Sequence, residues 1–246
     1  MGDWKLIALD MDGTLLAPDE SISHENLTAI EQARAAGIEV TIATGRAVEG
    51  VVWQHAKALG LTMPLVTVNG GEVWSMEGEL LYRRPLVASD VLELHQLALS
   101  VHAHFWGRTT ERFVRNDNMP ENAATAEWLK FGFYSDDADI MDSLWETLGN
   151  DSRFELTNSG RLNIEVNAAG VTKAAGLQLI CDRAGIDANQ VIAMGDSLND
   201  ISMLRWAGLG VAMGNAQEVV KEAADTMTGD CLENGVAQAI RRILND

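Results

Sequence analysis

The sequence predicts an α/β fold: a parallel-sheet core with helices on both faces, plus an inserted α+β unit. Short apolar runs alternate with helical patterns from Leu6 to Arg83. The alternation breaks between Arg84 and Asn167, where strand patterns follow one another. It resumes at Lys173 and runs to Leu244. Strand–helix alternation marks a parallel sheet, and strands beside strands mark an antiparallel one. The expected organisation is a core from residues 1–83 and 168–246, with residues 84–167 inserted as a second unit.

The first strand is the apolar run Leu6-Ile7-Ala8-Leu9, short and uninterrupted as buried strands are. It stops at Asp10-Met11-Asp12-Gly13-Thr14. Acids at i and i+2 of an extended chain leave on one side, and like charges so close call for a cation or a proton between them. Ser23 is placed to cap a helix through Leu27, Ile30 and Ala33, closed by Gly37. Ile38 to Thr44 is β-branched and apolar, a second buried strand ending at Thr44-Gly45-Arg46. Val48, Val51, Val52, His55 and Leu59 form one stripe of the next helix, which Gly60 ends. Leu65 to Val68 is a third strand, ending at Asn69-Gly70-Gly71, and residues 72–75 and 79–83 read as a hairpin about Met76-Glu77-Gly78.

In the insertion the pattern predicts a helix over 91–101, strands over 102–108 and 112–115, and helical stretches near 122–130 and 140–148. Strands over 154–157 and 162–166 close it. Trp106, Trp128 and Trp145 belong to its core on this reading. His102 and His104 are expected to face the same way on one strand, without a third partner that would make a metal site. The core then resumes with helices over 173–184, 199–206, 216–224 and 235–244, and strands over 190–194, 209–213 and 226–228.

Composition narrows the function classes. The formal net charge is −18, from 36 acidic and 18 basic residues, which argues against nucleic-acid and anionic-membrane surfaces. Cys181 and Cys231 have no C-x-x-C spacing, and Cys181 follows Leu177 by one helical turn, as a core thiol would. Gly2 is not followed by the Ser or Thr of a myristoylation signal, since Leu6 stands there. The start of the chain lacks a secretory pattern and no apolar run is long enough to span a bilayer. A soluble cytoplasmic protein is expected. Gly208-x-Gly210 followed by Gly214 has the wrong spacing and place for a dinucleotide fingerprint.

The chemistry lies at strand ends and helix starts: Asp10 and Asp12, Thr44 and Arg46, Asn69, Lys173, and Asp196, Asn199 and Asp200. Parallel strands put their C-terminal ends along one sheet edge, so Asp10, Thr44 and Asp196 should converge. Carboxylates without Cys or His make a hard oxygen site suited to Mg²⁺. A hydroxyl and an ammonium beside it are donors for phosphate oxygens, which points to phosphoryl transfer.

Four motifs, in order, resemble those of the haloacid dehalogenase superfamily, in particular its Cof-type phosphatases with an inserted α/β (type IIB-like) cap. They are Asp10-Met11-Asp12-Gly13-Thr14-Leu15, Ala43-Thr44-Gly45-Arg46, Lys173, and Gly195-Asp196-Ser197-Leu198-Asn199-Asp200. Gly210-Val211-Ala212-Met213-Gly214-Asn215-Ala216 resembles the family too. The likeness covers the core and is weak across residues 84–167.

The resemblance implies a Rossmann-like core and a Mg²⁺-dependent phosphatase acting on a small phosphorylated metabolite, a sugar phosphate being the best single expectation. It implies Asp10 as nucleophile and Asp12 as general acid and base. Thr44, Gly45, Lys173 and Asn199 would bind the phosphoryl group. Mg²⁺ would take Asp10, the Asp12 carbonyl and Asp196, with Asp200 supporting the loop and Asn199 assisting. Arg46 and Asn69 become candidate substrate contacts, and the cap is expected to close over the site. The alternatives are a sugar phosphomutase, with Arg108, Arg112 and Arg115 as a second phosphate site, and a phosphoacceptor or binding protein without turnover.

Overall fold

The computed structural model describes residues 2–116, 118–159 and 162–245. The chain divides into two compact units, Met1–Tyr82 with Thr172–Asp246, and Arg83–Val171.

The first unit is built on strands β1 (Leu6–Leu9), β2 (Glu39–Ile42), β11 (Val191–Gly195), β12 (Leu209–Ala212) and β13 (Thr226–Met227), here numbered by their place in the whole chain. They form one five-stranded sheet in the order β13-β12-β11-β1-β2. Every pairing is parallel, and Leu6 to Leu9 sit opposite Val191 to Met194 on one side and Glu39 to Ile42 on the other. All four residues of β1 are buried, so both faces of the sheet are covered, as its unbroken apolar run requires. Beside β2, Ala43 bridges in parallel to Val66. Val66 belongs to β3 (Leu65–Thr67), which continues through β4 (Glu72–Trp74) and β5 (Leu80–Arg83) as a three-stranded sheet.

Helix α1 (His24–Ala35) begins where Ser23 Oγ accepts the Asn26 N–H, satisfying one of the free donors of the first turn. Asn26 is itself buried and its Oδ1 accepts from the Ala237 N–H at 2.9 Å, tying α1 to α8 (Gly235–Asn245). Helix α2 (Val51–Ala58) starts three residues later than the Val48 stripe suggests. Helices α5 (Lys173–Ala184), α6 (Ile201–Trp206) and α7 (Glu218–Ala223) complete the unit. Cys181 is wholly buried in its core, which pushes its thiol up to about 11.

The second unit has a five-stranded sheet ordered β7-β6-β8-β10-β9, made of β6 (His104–Thr109), β7 (Phe113–Arg115), β8 (Trp128–Tyr134), β9 (Phe154–Thr157) and β10 (Asn163–Ala168). All of its pairings are antiparallel. Helices α3 (Ala88–Ser100) and α4 (Ala138–Gly149) pack on this sheet around Phe105, Phe131, Phe133 and Ile164. Here two expectations fail. The stretch 122–130 is not helical: residues 121–125 turn, and β8 is the central strand of the sheet. Six of the seven β8 residues are buried, so its sequence lacks the alternation that betrays a half-exposed strand. His102 is the other failure. It lies before the strand with φ 56°, so it does not share a strand face with His104. Trp128 is fully buried, whereas Trp106 and Trp145 are half-buried.

Candidate active site

Asp10 follows β1 directly, and its N–H donates to the Met194 carbonyl at 3.0 Å, extending the β1–β11 ladder by one residue. The chain then turns rather than staying extended. Thr14 and Leu16 both donate to the Met11 carbonyl, and Met11, Leu15 and Leu16 are buried beneath the turn. Gly13 has φ 78°, and a β-carbon there would stand 2.6 Å from Asp196 Oδ2. The two acids of the motif consequently part company. Asp10 stays buried, while the Asp12 side chain is half-exposed and takes its own partner.

That partner is Arg46. Its Nε donates to Asp12 Oδ2 at 2.8 Å and its Nη2 to Oδ1 at 2.6 Å, a bidentate pair. Its third nitrogen, Nη1, lies 2.8 Å from Glu20 Oε1. The two side chains thus have separate cationic partners, and the turn at Met11 takes Asp12 out of the extended geometry that would have set it beside Asp10.

The cation of Asp10 is Lys173, the first residue of α5. Thr172 caps that helix, its Oγ1 accepting from the Ala175 N–H at 3.1 Å. Lys173 is wholly buried and its Nζ donates to Asp10 Oδ1 at 2.6 Å and to Asp200 Oδ1 at 2.7 Å. The other Asp200 oxygen accepts the N–H groups of Asp196 and Ser197, both at 2.9 Å. This bond pair folds the loop after β11 so that Asp196 stands beside Asp10. Gly195 is needed there, since a β-carbon would lie 2.4 Å from the Asp200 β-carbon. Thr14 Oγ1 adds a long contact to Asp196 Oδ1 at 3.4 Å.

Asp10, Asp196 and Asp200 each offer a carboxylate oxygen, all within 4.8 Å of one another. One buried ammonium cannot balance this group. Burial, and then the charge of Asp200, push Asp10 well above the ordinary carboxylate range against the pull of Lys173. The same causes carry Asp196 up to about 7. Lys173 itself is penalised by burial, but Asp10 and Asp200 outweigh that and hold its ammonium more firmly than in water. An excess of buried negative charge on oxygen-only donors, without His or Cys in the cluster, fits a hard divalent cation such as Mg²⁺.

Thr44 is fully buried next to Gly45 in the turn after β2. Its N–H donates to Val66 and its Oγ1 accepts from the Arg46 N–H at 3.1 Å, leaving the hydroxyl proton for donation. Asn69 is buried with φ 59° and follows Val68 at φ 53°. Asn69 Oδ1 accepts from Asn199 Nδ2 at 3.2 Å, and Asn199 Oδ1 has no hydrogen-bond partner among the described residues. Two residues were not singled out from the sequence. Asn215 donates to the Gly13 carbonyl at 2.8 Å and accepts from the Cys231 N–H at 2.9 Å, clamping the turn after β1. It sat inside a motif already noted, which was its only signal. Glu20 had none, since its role depends on a turn that periodicity does not reveal.

A family model described as haloacid dehalogenase-like hydrolase matches residues 7–127 and 108–240. The 5-amino-6-(5-phospho-D-ribitylamino)uracil phosphatase YcsE of Bacillus subtilis is 45% identical over 239 residues, covering 97% of this chain and 95% of that protein. Among solved structures, a haloacid dehalogenase-like hydrolase from B. subtilis superposes with a TM-score of 0.87 at 25% identity, covering 97% of this chain and 99% of the other. The subclass IIB sugar phosphatase BT4131 gives 0.85 at 25% identity, over 97% and 98% of the two chains. This chain belongs to the haloacid dehalogenase-like hydrolases and is a phosphatase of that family.

Proposed function

We propose that this phosphatase is Mg²⁺-dependent, works through an aspartyl-phosphate on Asp10, and acts on a small phosphorylated sugar or sugar alcohol. The observation that carries the reading is the buried Lys173 bridging Asp10 and Asp200 within a cluster of three carboxylates. A carboxylate held by an ammonium can keep its second oxygen for attack, and the same ammonium can neutralise an incoming phosphoryl oxygen.

In the first step an Asp10 oxygen forms a bond to phosphorus while the ester P–O bond breaks, and Asp12 gives its proton to the departing alkoxide. In the second, Asp12 takes a proton from water, whose oxygen bonds to phosphorus as the bond to Asp10 breaks. Phosphate leaves, and both acids return to their starting state. Thr44, Gly45, Lys173 and Asn199 bind the phosphoryl oxygens. Asp10, Asp196 and the Asp12 carbonyl would hold Mg²⁺, with Asp200 ordering the loop, and the ion would supply positive charge against that developing on the phosphoryl oxygens. Residues 84–167 serve as the cap.

The substrate class rests on two relatives: one named for a substrate that carries its phosphate on a ribityl chain, and one that is a sugar phosphatase. Such esters leave as poor alkoxides, for which an acid at Asp12 is useful. The mutase reading is weaker, since Arg112 donates to the Asn118 carbonyl and Arg115 lies over the Phe113 ring.

The test is phosphate release from 5-amino-6-(5-phospho-D-ribitylamino)uracil, pentose, pentitol and hexose phosphates, and nucleotides, with Mg²⁺ or EDTA, for wild type and Asp10→Asn. Metal-dependent release confined to sugar or polyol phosphates, and lost in Asp10→Asn, supports the proposal. Turnover that survives the substitution overturns the mechanism. Release from nucleotides alone overturns the substrate class.

A further inference from the structure

We infer that Glu20 is a positioning residue for the Asp12 acid, acting through Arg46. The inference rests on the phosphatase reading above. Arg46 uses all three of its guanidinium nitrogens: Nε and Nη2 on the two oxygens of Asp12, and Nη1 on Glu20. A guanidinium fork fixes a carboxylate in both direction and plane, which a single contact does not. What aims the fork is its third arm.

Glu20 is presented by a turn built for the purpose. It adopts φ 63°, a left-handed conformation that costs a non-glycine residue free energy. Local bonds hold it there: Glu20 N–H to the Ala17 carbonyl at 2.9 Å, and Ala17 N–H to the Ser21 carbonyl at 3.0 Å. Asp19 Oδ1 accepts from both the N–H and the hydroxyl of Ser21, at 3.1 and 2.6 Å. From α2, His55 Nε2 lies 3.0 Å from the Glu20 carbonyl. On the other side the Arg46 backbone is set by its N–H to Thr44 Oγ1, at 3.1 Å, and by its carbonyl, which accepts from Val68 at 2.9 Å. Arg46 is therefore anchored at its backbone by the turn after β2 and at its tip by Glu20, with Asp12 gripped between. Asp12 itself is half-exposed and lies on a turn.

A residue that only orients the acid has a distinctive kinetic mark. The rate of P–O cleavage depends on the acid when the leaving group is a poor alkoxide. It is nearly indifferent when the leaving group departs unaided, as nitrophenolate does. The experiment compares kcat/KM for an alkyl phosphate (ribitol 5-phosphate) and for p-nitrophenyl phosphate, in wild type, Glu20→Ala, Glu20→Gln, Arg46→Ala and the Glu20→Ala/Arg46→Ala double variant. Thermal midpoints are measured alongside.

We expect Glu20→Ala to lose about tenfold on the alkyl ester and less than about twofold on p-nitrophenyl phosphate. Glu20→Gln, which still accepts from Nη1, should recover part of the loss. In the Arg46→Ala background the Glu20 substitution should change nothing further, since its route to Asp12 is gone. Equal losses on both esters, or losses that add in the double variant, would overturn the proposal. Wild type inactive on both esters would instead count against the phosphatase reading on which it stands.

Discussion

Lys173 places its Nζ 2.6 Å from Asp10 Oδ1 with both side chains shut off from solvent. The same ammonium reaches Asp200 at 2.7 Å, so one side chain joins the end of β1 to the loop after β11. Lys173→Met keeps the length and removes the charge, leaving two buried carboxylates facing each other. We expect activity to fall at least a hundredfold, and stability to drop by roughly 3 kcal/mol, the usual scale for breaking a buried pair by removing one partner. Urea midpoints and phosphate release measure the two effects separately. A variant as stable as wild type would show that the bridge adds nothing to the fold.

The elevated acids make a pH prediction of unusual sign. Burial and the charge of Asp200 let Asp196 keep its proton up to about 7 in the folded chain, whereas an unfolded Asp releases it near 4. Between those values the folded state binds more protons, so this group's contribution to stability falls as pH rises. The slope is at most about 1.4 kcal/mol per pH unit for one proton. Acids such as Asp151, lowered by its bonds to Arg153, act in the opposite direction. The comparison is therefore wild type against Asp196→Asn in EDTA, from pH 4.5 to 8. The substitution should become progressively stabilising relative to wild type, and Mg²⁺ should erase that gain. A difference that does not vary with pH would refute the assignment.

What the sequence made legible follows from topology. Asp10, Thr44 and Asp196 each end a strand of a parallel run, and such strands end at one sheet edge, so their residues needed no side-chain geometry to be noticed. The helix after Ser23 was marked by that residue as its cap, whose chemistry is local. The Arg46 fork was not legible, because it depends on the turn at Met11 rotating Asp12 away from Asp10 and on the unusual backbone of Glu20. Strand β8 was missed for the opposite reason. A strand packed on both faces carries no period, and Trp128 to Lys130 read as the end of a helix over 122–130.

Asp12→Asn separates chemistry from stability. The pair with Arg46 is substantially exposed, and such pairs contribute no more than about 1 kcal/mol. The folded state should lose less than that, while an amide can neither deliver nor accept the proton. We expect kcat/KM for an alkyl phosphate to fall by about 10² to 10⁴, the range general acid–base catalysis spans. Thermal midpoints show whether the fold is intact. A loss below tenfold in a folded variant would remove Asp12 from the acid's role.

Gly70 tests how closely the loop after β3 must approach α5. Its φ is 98°, and a β-carbon there would lie 2.0 Å from the Thr172 carbonyl oxygen. The seam continues at Gly176, where a β-carbon would meet Val66 Cγ1 at 2.4 Å and the Gly70 α-carbon at 3.2 Å. Gly70→Ala must therefore push back the cap residue of α5, and with it Lys173, the next residue along. Gly78→Ala is the control: its φ of 88° carries similar backbone strain, but nothing stands within 4 Å. The control should cost about 1–2 kcal/mol, the strain alone. Gly70→Ala should cost clearly more and lose activity as well, because an ångström of movement at Lys173 disturbs its bond to Asp10. Equal stability losses in the two variants, with activity retained, would show that the loop and the helix start yield without disturbing the site.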